Sequence, residues 1–335
     1  MSPDQARLVA AARTDGWSWV NLARHYGYVS GEAMRKQYAR ATKRQVGATP
    51  TSDRGDFFVA PEPAWEVSYE IRLDDMDESP ALPPLQYDLP GPVKALVIPD
   101  LQVRSGIELD HIRWAGQYAA HIKADVIVQL GDWTDYGSIS TYNTPLEREG
   151  MRLADDHAAT IASLELFQEG LGEYRPKLQI LTLGNHEDRL RRFIEDHPEL
   201  AGTLKLPPFE DYGWTVYPFL QPVEVNGVMF AHYFTRTAKG WAGKNPHADA
   251  QTMTRREMRS CVAGHSPSLG TYIHPTLGGL IRGMIAGSYY QHDEGYQGPQ
   301  GNRCWQGVVV LHELKDGMYS LMEVSLDYLK KRYSK

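Results

Sequence analysis

Three runs of apolar, largely β-branched residues recur through the middle of the chain, and each stops at a polar side chain. They are Val93-Lys-Ala-Leu-Val-Ile ahead of Asp100, Val126-Ile-Val-Gln-Leu ahead of Gly131-Asp132, and Leu178-Gln-Ile-Leu-Thr-Leu ahead of Gly184-Asn185. Short, nearly continuous apolar runs predict strands buried on both faces. Helical patterns lie between them at Asp110–Lys123 and Ala154–Gly170, and a third runs from Asp188 to about Asp196. Strand-helix alternation of this kind predicts a mostly parallel sheet. After Trp214 strands take over, with Val228–Ala231 and Cys261–Ala263 each followed closely by a histidine, His232 and His265. One helix interrupts them near Ala248–Met258, and hairpins are expected at Tyr272–Ile285 and Trp305–Val324, the second turning at Asp316-Gly317. The fold class expected is α/β, two packed sheets flanked by helices, over residues 93–335.

The first 45 residues follow a different rhythm. Helices are predicted from Pro3 to Thr14, from Trp17 to near Gly27, and from Gly31 to about Arg44, the last capped by Ser30. Three short helices with a Gly-containing turn before the last suggest a small helix-turn-helix-like domain. Its last helix carries Arg35, Lys36, Arg40 and Lys43, the residues expected to meet nucleic acid phosphates. A protein-docking bundle is the other reading of the same helices. Residues 46–92 are proline-rich, with an acidic Asp74–Glu78 stretch, and are expected to form a connector. Trp65–Arg72 alternates and is the one strand candidate inside it.

Composition adds two constraints. The 335 residues carry a net charge of −7, yet the first 50 hold eight basic residues against three acidic ones. A basic head on an acidic body points to an anionic partner, DNA first among them. Only Cys261 and Cys304 are present, so no disulfide framework is expected and a reducing cytoplasm suits the chain best. No apolar run approaches a membrane span, so no membrane partner is expected.

Strand ends thus deliver Asp100, Asp132, Asn185, His232 and His265 to what would be one carboxyl edge, where open α/β sheets bind ligands. Hard oxygens with borderline imidazole nitrogens suit Mn²⁺, Zn²⁺, Fe or Mg²⁺. The order Asp100-Leu-Gln102, Gly131-Asp132-Trp-Thr-Asp135, Gly184-Asn185-His186-Glu187, His232 and Gly264-His265-Ser-Pro267 resembles the calcineurin-like metallophosphoesterase superfamily. Its motifs run D-x-H, G-D-x-x-D, G-N-H-E/D, a lone His and G-H-x-H.

That resemblance implies one or two divalent cations, with Asp132 bridging and Asn185, His232 and His265 completing the second site. Asp100 and Gln102 fall in the first. The resemblance also implies a metal-activated hydroxide as nucleophile, with His186 assisting the leaving group and Asp135 orienting it. Arg104 and Arg189, just past the first and third motifs, are candidates to clamp phosphate oxygens.

Two departures fall on the first cation. Gln102 stands where the family has histidine, and Pro267 replaces the closing histidine. A Gln carbonyl favours Mn²⁺ or Mg²⁺ over Zn²⁺, and the change is similar to phage-encoded members of the superfamily, which would place the protein in a host cytoplasm. His292 and His111 are further candidate ligands. The expected function is a metal-dependent phosphodiesterase or nuclease acting on, or tethered to, DNA. A phosphomonoesterase, or a nucleotide or phosphoprotein phosphatase, is the first alternative, and a non-catalytic metal-binding scaffold on DNA the second.

Overall fold

In a computed structural model the chain divides into two compact units, Met1–Asp75 and Met76–Lys335. The structure describes residues 38, 85–236, 247–293 and 302–334. Within the first unit that leaves Tyr38, which lies in a helix. The expected three-helix domain, its basic residues Arg35, Lys36, Arg40 and Lys43, and the Trp65–Arg72 strand lie outside the described residues.

The second unit opens with β1 (Gln86–Tyr87), β2 (Val93–Ile98), α1 (Asp110–Ile122), β3 (Val126–Gln129), α2 (Leu153–Leu171), β4 (Leu178–Thr182) and α3 (Glu187–Asp196). It continues with β5 (Thr215–Tyr217), β6 (Val223–Val225), β7 (Val228–Ala231), α4 (Ala250–Glu257), β8 (Ser260–Ala263), β9 (Leu269–Thr276) and β10 (Gly279–Ala286). Strands β11 (Gly307–Lys315) and β12 (Met318–Ser325) precede the last helix, α5 (Leu326–Tyr333). Two six-stranded sheets result, in the orders β12-β11-β2-β3-β4-β5 and β1-β6-β7-β8-β10-β9. Strands β2 to β5 pair in parallel, as the alternating pattern predicts, and β11 closes the sheet antiparallel to β2. In the second sheet β7, β8 and β10 are parallel.

The period-two alternation of the strands sorts their side chains into two cores. Ala95, Val97, Val126, Val128, Ile180 and Val309 face inward against Val223, Val228, Phe230, Val262 and Met284 of the second sheet. The intervening residues Leu96, Ile98, Ile127, Leu181, Val308 and Val310 face outward and meet Ile112, Leu164, Phe167 and Leu329 of α1, α2 and α5. Helix α4 covers the outer face of the second sheet through Ala250 and Met253, against Ala231, Cys261 and Ile285. The layers are therefore helix, sheet, sheet, helix. Among the described residues no helix is long and apolar enough to cross a membrane.

Three details depart from the sequence reading. Gln86–Tyr87, assigned to the connector, is a strand paired in parallel with β6 at Glu224 and Val225. Asn226-Gly227 turns an unexpected β6–β7 hairpin. The chain also ends in a helix with no counterpart in that reading, whose N-cap Ser325 accepts from the backbone N–H of Tyr328.

Trp133, directly after Asp132, shows how the core holds the site. Its indole is fully buried among Phe167, Phe209 and Trp214, with ring centroids 6.1, 5.9 and 5.2 Å away. Its Nε1–H donates to Ser163 Oγ at 2.7 Å, so the polar edge is satisfied as well. Trp133→Ala should cost about 3–5 kcal/mol by transfer and cavity terms. Chemical denaturation of the full chain checks this, and a cost under about 1 kcal/mol would mean the pocket collapses freely.

Candidate metal and phosphoester site

Every strand carrying a motif ends at the same edge of the sandwich, and the loops beyond them are sewn together by backbone bonds. The Asp132 carbonyl accepts from the N–H groups of Leu101 (3.0 Å) and Gln102 (2.8 Å). Val103 N–H donates to Trp133 O at 2.7 Å and Asp135 N–H to Val103 O at 2.8 Å. The first and second motif loops thus run as one short parallel ladder. Gln129 braces the turn between them, accepting from Gly131 N–H at 2.7 Å and donating to Gly131 O at 2.9 Å.

Glu187 locks the third loop to the second. Its fully buried carboxylate accepts from Asp132 N–H (3.0 Å), Thr134 N–H (2.8 Å) and Gly184 N–H (2.7 Å). Burial and the nearby Asp132 charge push its pKa up to about 7, against the pull of these N–H donors. In the sequence Glu187 is visible only as the last letter of its motif, with no task attached. A first-turn acid is legible as such, but its reach back across two loops is a product of the fold.

The loops also demand unusual backbone. Gln102, Asp132 and His265 all have positive φ, at 46°, 52° and 65°, a region that costs non-glycine residues about 1–3 kcal/mol and clusters at functional sites. Glycine is needed beside them for space. A Cβ on Gly184 would lie 2.0 Å from Asp132 Oδ1, and one on Gly264 would lie 2.6 Å from Asp100 Oδ1.

This scaffold brings four of the predicted ligands together. Asn185 Oδ1 lies 2.8 Å from His232 Nε2 and 2.8 Å from His265 Nδ1, and the two nitrogens are 3.2 Å apart. Asp132 Oδ2 is 3.4 Å from His232 Nε2. His232 Nδ1 donates to Leu130 O at 2.7 Å, which fixes the tautomer and leaves a lone pair on Nε2. That lone pair therefore faces the Asn185 oxygen directly. Burial pushes the pKa of both His232 and His265 down, His265 to about 3, so His232 takes up no second proton at Nε2, and the single N–H of neutral His265 can serve at most one of its two neighbours. A cation relieves it.

Asp100 joins from the neighbouring strand. Its Oδ1 accepts from His265 N–H at 2.9 Å. Burial first, then the charge of Asp132, hold its carboxyl well above the usual carboxylate range. Gln102 is also buried, and its Oε1 has no hydrogen-bond partner among the described residues. An orphaned buried carbonyl beside two buried acids is what an oxygen-rich cation site leaves behind when only protein atoms are counted.

His111 and His292 are placed close to one another. His111 opens α1, fully buried, with Nδ1 3.2 Å from Gln291 Nε2 and its ring edge-on to Tyr289 at 5.4 Å. Tyr289 N–H in turn donates to Asp100 O at 2.8 Å. Burial and the neighbouring His292 push His111 down to about 3. His292 stacks on Tyr290 with centroids 5.0 Å apart.

The second group of predicted residues forms its own network. His186 Nδ1 lies 3.0 Å from Asp135 Oδ1, and its backbone N–H donates to Asp132 Oδ1 at 2.9 Å. Arg189 donates to Asp135 O at 2.7 Å, to Asp135 Oδ1 at 3.2 Å and to His186 Nε2 at 2.9 Å. Arg104 reaches the other oxygen of Asp135 at 3.3 Å. Burial opposes ionisation of Asp135, but His186, Arg189 and Arg104 outweigh it and hold the carboxyl far below its ordinary value. For His186, burial and Arg189 favour the neutral ring, while Asp132 and Asp135 favour the cation and prevail, raising its pKa. The 2.9 Å contact from an arginine that can only donate demands a lone pair on Nε2, so contact and charge balance disagree. The direct contact decides the resting state: His186 is neutral at Nε2 until Arg189 is drawn elsewhere.

His247 was not anticipated. Its ring lies 4.8 Å from that of His265, brought there by the Thr235–His247 bridge, and no local motif announces it.

The sequence profile of the calcineurin-like phosphoesterase family matches residues 93–269. No curated protein matches the chain. Among solved structures, TT1561 of Thermus thermophilus is similar with 8% identity and a TM-score of 0.30, over 70% of this chain and 99% of that one. A cold-active protein tyrosine phosphatase is similar with 12% identity and a TM-score of 0.28, over 72% and 81% of the two chains. The profile spans more than half of the sequence and contains every motif from Asp100 to His265. It implies metal-dependent phosphoester hydrolysis, and Asp132, His232 and His265 bring together ligand atoms that could hold a metal ion. By its sequence and its two-sheet architecture, this chain belongs to the calcineurin-like phosphoesterase family.

Proposed function

We propose that the protein is a phosphodiesterase that acts on nucleic acid or is tethered to it. The observation that carries the hydrolytic part is the crowding of Asn185 Oδ1, His232 Nε2 and His265 Nδ1 beside Asp132, a donor set without enough protons to hold itself together. These residues would hold a divalent cation, and the buried Asp100 and Gln102 beside them would supply oxygens to a second. His111 and His292 lie on the Asp100 side, linked to it through Tyr289. Mn²⁺ suits this oxygen-rich set best, ahead of Mg²⁺, Fe and Zn²⁺. When bound, such cations polarise phosphoryl oxygens and acidify water.

The chain's own residues do the rest. Asp135 holds the His186 ring in one orientation through Nδ1, which leaves Nε2 as the end that meets the substrate. Arg189 and Arg104 both grip Asp135. A phosphate oxygen competes with Nε2 for the Arg189 guanidinium, so substrate binding frees Nε2 to carry a proton. The raised pKa then favours loading that proton, ready for the leaving oxygen. A chain whose two cysteines, Cys261 and Cys304, form no disulfide framework suits a cytoplasmic setting.

Support for nucleic acid comes from the basic first 50 residues. Neutralising Arg35, Lys36, Arg40 and Lys43 together by substitution with Gln should weaken DNA binding and flatten its salt dependence, since slope follows the number of phosphate contacts. Turnover of bis(p-nitrophenyl) phosphate should persist. Equal DNA affinity and equal salt slope would remove the tether. For the hydrolase itself, Mn²⁺ added at 100 times its dissociation constant should stabilise the protein by about 2.7 kcal/mol. A calorimetric scan with no shift at saturating Mn²⁺ would sink the cation assignment.

A further inference from the structure

Beside the ligand cluster lies a cavity of about 650 Å³ that the cation chemistry leaves unused. Tyr233, next to His232, forms part of its wall, as do Gly264 and Ser266 on either side of His265. The opposite wall is the start of β9, from Leu269 to Tyr272. The cavity therefore shares two loops with the metal-binding group. Arg236 and His247 also line it, held together by the Thr235–His247 bridge and by Ala248 N–H donating to Phe234 O at 2.8 Å.

Its chemistry narrows what can fill it. Cavities of roughly 300–1,000 Å³ take organic ligands and bury most of their surface, so a phosphate group alone leaves most of this one to water. A purely apolar group would strand the guanidinium, the imidazole and the hydroxyls of Ser266, Ser268 and Thr271. Several anionic groups inside the cavity are disfavoured too: among the described residues the only guanidinium lining it is that of Arg236, and Asp249 sits beside it. Asp249 is already engaged, capping α4 by accepting from Thr252 N–H at 2.7 Å. His247 brings an imidazole to the same wall, with one ring nitrogen to donate and one to accept a hydrogen bond. Tyr272 is pinned by Arg255, whose Nε donates to its hydroxyl at 3.1 Å, which makes that wall rigid and aromatic. What remains is a ligand with a planar ring, several hydrogen-bonding groups and one further negative charge.

We infer that this cavity seats the organic group of the ester, and that the group is a nucleoside phosphate, with Arg236 on its additional phosphate and His247 and Thr271 on its polar edge. The inference rests on the hydrolase reading above. It applies to a free nucleotide or to one unit of a strand.

The test uses the full chain with Mn²⁺ and two variants. Gly270 lines the cavity at ordinary φ, and a Cβ there meets nothing within 4 Å, so Gly270→Trp can fill the space without a backbone clash. Arg236→Ala removes the charge. Wild type should favour thymidine 3′-phosphate 5′-(p-nitrophenyl phosphate), which carries the additional phosphate, over bis(p-nitrophenyl) phosphate by about tenfold or more in kcat/KM, the scale a well-fitted pocket provides. Both variants should erase that preference, chiefly through KM. Separate titrations with thymidine 5′-monophosphate and with the dinucleotide TpT should show binding that Gly270→Trp abolishes, and the tighter of the two identifies the source. No preference in wild type, or a preference that survives both variants, overturns the inference. If wild type hydrolyses neither ester, the hydrolase reading fails, and the two titrations alone decide the cavity: nucleotide heat lost in Gly270→Trp supports it, and no heat in wild type overturns it.

Discussion

Asp132→Asn should lower kcat by about 10³-fold or more, equivalent to roughly 4 kcal/mol at 1.36 kcal/mol per decade. The side chain has two jobs, and this substitution separates them. Oδ1 accepts from His186 N–H at 2.9 Å, a bond that an amide oxygen can retain. Oδ2 faces His232 Nε2 at 3.4 Å and lies among the other ligand atoms, where an amide supplies no negative charge. Elemental analysis after dialysis should find less bound metal than in wild type, and the thermal gain from Mn²⁺ should shrink. The backbone should stay in place, because the loops are held by the Asp132 carbonyl and by Glu187, and an amide oxygen keeps the bond from His186 N–H. Full activity with full metal content would mean the shared acid lies elsewhere.

His186→Ala is expected to lose about 10²–10⁴-fold in kcat, the usual scale for a positioned proton donor. It should keep its bound metal, since no ligand atom is removed. The companion variant Asp135→Asn tests how His186 is tuned. Asp132 and Asp135 raise the His186 pKa, so the protonated ring persists above about 6.5, its ordinary value. A general acid is active while protonated, so kcat should fall as pH rises through that raised pKa. Taking away the Asp135 charge should move this alkaline limb toward lower pH. A pH profile unmoved by Asp135→Asn would assign the limb to another group.

The parts of this molecule that could be read from sequence are those where one local pattern has one physical meaning. Val126–Leu130 and Leu178–Leu183 are nearly unbroken apolar runs, and a central parallel strand covered on both faces is what needs that. Asp100, Asp132 and Asn185 follow such strands within a residue or two of a turn, so their arrival at one edge was legible from the pattern alone. Strand β1 was not, because two residues among prolines carry no period, and their pairing with β6 depends on a segment more than a hundred residues away. Helix α5 shows Leu326, Leu329 and Tyr333 at helical spacing, but the hairpin before it dominates the pattern. Arg104 and Arg189, candidates for phosphate, both reach Asp135, a contact the sequence does not show because it depends on the crossing of two loops. His247 is the clearest case, since only the bridge to Thr235 places it against His265.

The triple grip of Glu187 has a consequence for how such a chain can change length. One carboxylate fixes the second and third motif loops to about a hydrogen bond's tolerance, so an added residue between Gly131 and Thr134, or between Gly184 and Glu187, would break the clasp. The stretch from Tyr142 to Gly150 carries no such clasp among the described residues and is largely exposed. Insertions there would redraw the mouth of the site while leaving its floor unmoved, which marks that stretch as the place where relatives can diverge in size without surrendering their chemistry.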